Sequence, residues 1–120
     1  MSFESSVSLQ LARKYLGEKV EVVIDRPVGA LHPTRHYVYE VNYGFVSGAK
    51  APDGEDLDAY YLGSNEPLDT ATGECIAIIH RVDDDDDKLV VVPDGVYFTD
   101  DEIMKMVFFQ ERWFTSTVIR

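Results

Sequence analysis

The chain has 120 residues, 45% of them apolar, and 22 acidic against 11 basic side chains give it a formal net charge of −11. That length allows one domain with a true apolar core, and the composition argues against disorder. The charge opposes nucleic acid and anionic membrane surfaces as partners, and it would repel a polyphosphate too unless cations intervene.

Cys75 is the only cysteine. No internal disulfide can form, and a reducing cytoplasm is the expected setting. No apolar N-terminal run precedes a small-residue cleavage site and no stretch reaches membrane length, so a soluble protein is expected, with residues 1–120 as one domain.

In chain order, residues 6–16 place Val7, Leu9, Leu11 and Leu16 among polar residues, with Ser5 or Ser6 as caps, and predict a short helix ending at Gly17. The β-branched run from Val20 to Asp25 predicts a strand stopped by Arg26-Pro27. A loop follows to His36, then a second strand from Tyr37 to Val46 closed by Ser47-Gly48. Pro52-Asp53-Gly54 has turn chemistry, and a third strand runs from Leu57 to Leu62. Glu74 to Val82 and Leu89 to Val92 are expected to pair as a hairpin across a run of five aspartates. Thr99-Asp-Asp-Glu102 is a capping box opening a helix with Ile103, Met106, Val107, Phe109 and Phe114 on its apolar face. Phe108, Phe109 and Trp113 are expected to pack in the core, and Thr115 to Ile119 to add a strand. Five short strands with two helices predict a mainly β, OB-like antiparallel barrel.

Carboxylates are concentrated at two points, Asp53-Gly-Glu55-Asp-Leu-Asp58 and Asp83 to Asp87. Two such groups 4 Å apart repel by roughly 1 kcal/mol in water and about 4 kcal/mol at an effective dielectric of 20. A hard divalent cation relieves that repulsion, Mg²⁺ above all, because it binds through a few carboxylates, waters and phosphate oxygens. Strict alternation would put Glu55 and Asp58 on opposite faces of a strand, so sharing one site requires a turn or bulge around Gly54 to Asp56. Taken singly, the first cluster reads equally well as a solvated turn, and the aspartate run reads better as one.

Taken together, Tyr39-x-x-Asn42-Tyr43-Gly44, then Asp53-Gly-Glu55-x-x-Asp58, then Asp86-x-Lys88-Leu-Val-Val-Val-Pro93 resemble the soluble family I inorganic pyrophosphatases across about residues 20–114. The resemblance implies a five-stranded barrel and Mg²⁺-dependent hydrolysis of pyrophosphate to two phosphates by a metal-activated water, in the cytoplasm. It implies Asp53 and Asp58 as metal ligands, with Asp86 and Asp83 holding further metal and Asp84 or Asp87 as substitutes for either. Glu55 stands where the family has an aspartate general base. Lys88 would hold a phosphate, Tyr43 would hydrogen-bond within the metal shell, Tyr39 would pack beside it, and Asp25 matches an active-site glutamate.

The departures fall on the phosphate side. Only thirteen residues separate Asp25 from Tyr39, where the family usually inserts a hairpin carrying a lysine, a glutamate and an arginine. Arg112-Trp113 stands where a Tyr-Lys pair is usual. Arg26, Arg35, His32, His36 and Arg112 are the available substitutes, with Arg35 the first choice and the histidines read as ordinary loop residues. Hydrolysis of a larger diphosphate ester, a non-catalytic metal- or phosphate-binding module and a structural barrel with an acidic rim remain alternatives. Exposed aromatics make a homo-oligomer plausible.

Overall fold

The computed structural model describes residues 6–82 and 86–120. Its elements are α1 (Val7–Arg13), β1 (Lys19–Arg26), β2 (Asn42–Lys50), β3 (Asp56–Tyr61), β4 (Thr70–Arg81), β5 (Lys88–Val92), α2 (Asp100–Glu111) and β6 (Ser116–Ile119). Both helices start where side-chain caps dictate. Ser6 Oγ accepts from the Leu9 N–H at 3.1 Å. At α2, Thr99 Oγ1 accepts from the Glu102 N–H at 3.2 Å and Glu102 Oε1 accepts from the Thr99 N–H at 2.9 Å, the expected capping box.

Several boundaries differ from expectation, among them the start of β4, which lies at Thr70 rather than Glu74. The α1 helix stops at Arg13, and the chain turns through Gly17 at φ +82°. Strand β2 starts at Asn42 rather than Tyr37, because Tyr37 to Val41 belong to a loop braced by a single Leu31–Val38 bridge. Asn42 anchors that loop from inside: its Oδ1 accepts from the Val28 and Leu68 N–H groups, both at 3.2 Å, and its Nδ2 donates to the Glu66 carbonyl at 3.0 Å. Beyond Gly48 (φ +86°) β2 resumes as far as Lys50 after a register shift.

Strands β1, β2, β3, β5 and β4 follow one another in the sheet, and β4 pairs back onto β1 to close a barrel, while β6 extends β4 outside it. The expectation of a wholly antiparallel barrel is corrected at one pairing, β3 with β5, which is parallel. A closed ring of five strands cannot alternate direction all the way round, so one neighbouring pair has to run the same way. Four antiparallel pairings and this parallel one complete the ring among the described residues.

Strand alternation sorts side chains into an inner and an outer cluster. Val22, Ile24, Val46, Leu57, Ala59, Ile78, Leu89 and Val91 fill the interior, with Leu9 and Ala12 of α1 closing one end. On the outside, Tyr60 and Leu62 on or just past β3, Ala77 and Ile79 of β4, and Val90 and Val92 of β5 meet Ile103, Val107 and Phe109 of α2. Of the three aromatics expected in the core only Phe109 is there. Phe108 lies one residue off the Ile103–Val107 stripe and is 57% exposed, and Trp113 lies past the helix end and is 40% exposed. At Gly44 a Cβ would sit 1.8 Å from the Val23 carbonyl oxygen, so only glycine lets β1 approach the strand carrying Tyr43 this closely.

Candidate active site

The outer rows that pack under α2 end in charge. Asp58 precedes Tyr60 and Leu62 on β3, Lys88 precedes Val90 and Val92 on β5, and Arg81 follows Ala77 and Ile79 on β4. Because β3, β5 and β4 are neighbours, a period of two gathers these three residues at one end of one face. Lys88, whose side chain is only 3% exposed, reaches with its Nζ to Asp58 Oδ2 at 2.6 Å and Asp86 Oδ2 at 3.0 Å.

Two cavities adjoin here. One, of about 440 Å³, is walled by Asp25, Asp53, Glu55, Asp56, Asp58 and Asp86. The other, of about 320 Å³, is walled on its basic and aromatic side by Arg26, Arg35, Arg81, Lys88, Tyr39 and Tyr43. Asp25 and Asp58 belong to both. An acidic compartment and a basic one therefore share a carboxylate wall.

Glu55 reaches the acidic cavity from a turn, and the β2–β3 register shifts between Asp56 and Asp58. Glu55 lies just before β3, after Gly54 at φ +86°, and its N–H donates to Asp53 Oδ1 at 2.9 Å. Asp56 points instead to Lys50 Nζ at 2.7 Å, and that hydrogen bond holds its carboxyl below the usual range. The remaining donors are all carboxylate oxygens, which suits a hard divalent cation such as Mg²⁺. Among the described residues, no three His, Cys, Asp or Glu side chains close on one point as metal ligands do. The structure brings Asp58 and Asp86 together on Lys88 and puts Asp53 and Glu55 on the rim of the same cavity. Asp83 and Asp84 lie outside the described residues. Asp87 is turned inward and lines neither cavity. Its Oδ1 meets His80 Nδ1 at 2.9 Å and the Arg81 N–H at 3.1 Å.

On the basic side, Tyr39 and Tyr43 stack at 5.5 Å between ring centres. Burial, and the Asp58 carboxylate after it, push the Tyr43 hydroxyl well above its ordinary pKa, so it stays a proton donor at neutral pH. Arg35 lines the cavity and lies 5.0 Å from the Trp113 ring. Arg26 lines it too, whereas Arg112 rests against Trp113 at 4.6 Å. His32 Nδ1 accepts from the N–H groups of Thr34 and Arg35 at 3.2 and 3.0 Å, which makes it an organiser of its own loop.

Sequence reasoning missed the buried network behind this wall. Arg81 donates from Nε and Nη2 to Glu111 Oε1 and Oε2 at 3.0 and 2.9 Å, a two-pronged pair inside the protein. Tyr60 donates to Glu111 Oε2 at 2.6 Å, Ser116 to Oε1 at 2.8 Å, Gln110 Nε2 to the Tyr60 hydroxyl at 2.7 Å, and Tyr37 to Gln110 Oε1 at 2.7 Å. Burial works to raise the Glu111 pKa, but the hydrogen bonds and charge of Arg81 outweigh it and the value is lowered. Burial likewise opposes the Arg81 charge, and Glu111 more than offsets it. A signal was present: Glu111 continues the Ile103–Val107 helical stripe and Arg81 continues the Ala77–Ile79 row, so each puts a charge where the pattern calls for an apolar side chain.

A sequence model of the inorganic pyrophosphatase family matches residues 14–116. Among solved structures, the chain resembles an inorganic pyrophosphatase from Ehrlichia chaffeensis with a TM-score of 0.64 at 16% identity, covering 84% of each chain. A counterpart from Coxiella burnetii gives 0.61 at 19% identity, covering 86% of this chain and 84% of the other. One from Neisseria gonorrhoeae gives 0.60 at 24%, covering 78% and 72%. No curated protein sequence matches the chain. Among the described residues, no helix is long and apolar enough to cross a membrane.

Proposed function

This chain belongs to the inorganic pyrophosphatase family, and from that premise we propose that it hydrolyses pyrophosphate to two phosphates with Mg²⁺ as cofactor. One observation carries the reading: the acidic and basic cavities meet at Asp58, whose carboxylate is 2.6 Å from Lys88 Nζ. A diphosphate lying across that wall would present its oxygens to cations on both sides.

Asp53, Asp58 and Asp86 would hold Mg²⁺, which supplies positive charge against the diphosphate and makes a water molecule more acidic. Glu55, on the rim of that cavity, takes the proton of the attacking water. Lys88 donates to a phosphate oxygen as negative charge builds on the departing phosphate, and Arg35 and Arg26 offer further positive charge from the loop side. Tyr43, held protonated, lines the basic cavity with Asp58 and can donate to a phosphate oxygen, with Tyr39 stacked behind it. Asp25 closes the shared wall.

A single domain in the cytoplasm agrees with this reading. Cys75 is buried and reduced, and the net charge of −11 disfavours nucleic acid and anionic membranes. Exposed Tyr97, Phe108 and Trp113 support self-association. A larger diphosphate ester is the second reading, favoured by the outer wall, where Tyr37 stacks on Trp113 at 5.0 Å beside Arg35.

Phosphate release from the purified chain tests both. Turnover of pyrophosphate that requires Mg²⁺, and exceeds turnover of nucleoside or sugar diphosphates, is the expected result. Turnover confined to the esters would install the second reading, and none on any diphosphate would remove both.

A further inference from the structure

Arg81 lines the basic cavity but has no part in the chemistry above. Its side chain is 6% exposed, its guanidinium carbon lies 3.7 Å from the centre of the Phe114 ring, and two of its nitrogens are clamped by Glu111. The third, Nη1, reaches Asp86 Oδ2 at 3.4 Å. Asp86 thus meets two resident cations at once, since Lys88 Nζ is 3.0 Å from the same oxygen. Clamping and ring contact fix the plane of the guanidinium, the preorganisation that suits an anion with several oxygens.

We propose that Arg81 is a fixed cation of the reaction site, binding a phosphate oxygen of the diphosphate and sharing Asp86 with Lys88, so that the site depends less on divalent ions for positive charge. This rests on the diphosphate reading above. Two consequences follow from electrostatics. Phosphate should bind measurably before any Mg²⁺ is added, because Arg81 and Lys88 already stand in the cavity. Asp86 should bind Mg²⁺ less tightly than it would alone, because a divalent ion must compete with two cations for it.

The test is calorimetry on the full chain stripped of divalent ions, titrated separately with inorganic phosphate and with MgCl₂. Arg81→Gln combined with Glu111→Gln removes both members of the buried pair together and leaves no lone charge behind. The expected result is a loss of phosphate affinity of about tenfold or more and a gain in Mg²⁺ affinity of about threefold or more. A folded double variant, as judged by its thermal transition, with both affinities unchanged overturns the proposal. So does a metal-free wild type that binds no phosphate. Should the double variant not fold, Arg81→Lys keeps Glu111 paired but loses the planar fork. Its phosphate affinity should fall at least about threefold, and equality with wild type overturns the proposal. A wild type that binds phosphate without Mg²⁺, loses that binding in the double variant, and yet turns over no diphosphate supports Arg81 as a phosphate contact while removing the pyrophosphatase reading.

Discussion

Glu55→Gln is expected to lower pyrophosphate turnover by about 10²- to 10⁴-fold, the usual worth of a positioned general base, while Mg²⁺ binding stays near wild type. The substitution keeps the length and shape of the side chain and removes only its ability to take a proton. Its surroundings should persist, because the contact that fixes the turn is the Glu55 backbone N–H on Asp53 Oδ1, and Gly54 supplies the positive φ. The loss should therefore fall on kcat rather than on KM. Steady-state kinetics with calorimetric Mg²⁺ titration checks this. Full activity in a variant that still binds metal would take the base role from Glu55.

Glu111→Gln is expected to cost about 3–5 kcal/mol of stability, the range for leaving a buried charge without its partner. Arg81 is 5% exposed and Glu111 1%, so water cannot take over when the carboxylate goes. The amide can still accept from Tyr60, but it cannot satisfy the guanidinium as an anion does. Acid gives a second signature. The Glu111 pKa is lowered in the fold, so its contribution is complete above the ordinary glutamate value of about 4.3 and is lost as pH falls through the lower folded value. The gap between wild type and variant should be widest near neutral pH and close on acidification below 4.3. Denaturant unfolding of both proteins across that pH range measures it. Equal stabilities at neutral pH, or a gap that persists in strong acid, would show that the pair contributes little.

Local chemistry announced much of this molecule. The caps at Ser6 and Thr99, the β-branched strand around Ile24, and the glycine turn that swings Glu55 beside Asp53 all depend on residues within a few positions of one another, where sequence is most informative. Longer-range outcomes were harder to read. Tyr37 to Val41 alternate like a strand, but buried Asn42 ties the neighbouring loops together and delays β2. Phe108 and Trp113 look like core residues by type and are half-exposed by position. In the site, Asp25, Tyr39, Tyr43, Asp53, Glu55, Asp58, Asp86 and Lys88 lie around the two cavities, while Asp87 is turned inward and Asp83 and Asp84 lie outside the described residues. Arg81 and Glu111 escaped notice because each sits on a different element, 30 residues from the other, and neither names its partner. Only the strand order and the placement of α2 over β4 make them a pair.

Asp58 belongs to both compartments. Calorimetric titration of Mg²⁺ into wild type and Asp58→Asn tests this most directly, since asparagine keeps the shape and drops the charge. Saturable binding in wild type at millimolar Mg²⁺ or below, weakened about tenfold or more in the variant, is the result predicted. Identical isotherms for the two proteins, or no binding by either, would contradict it.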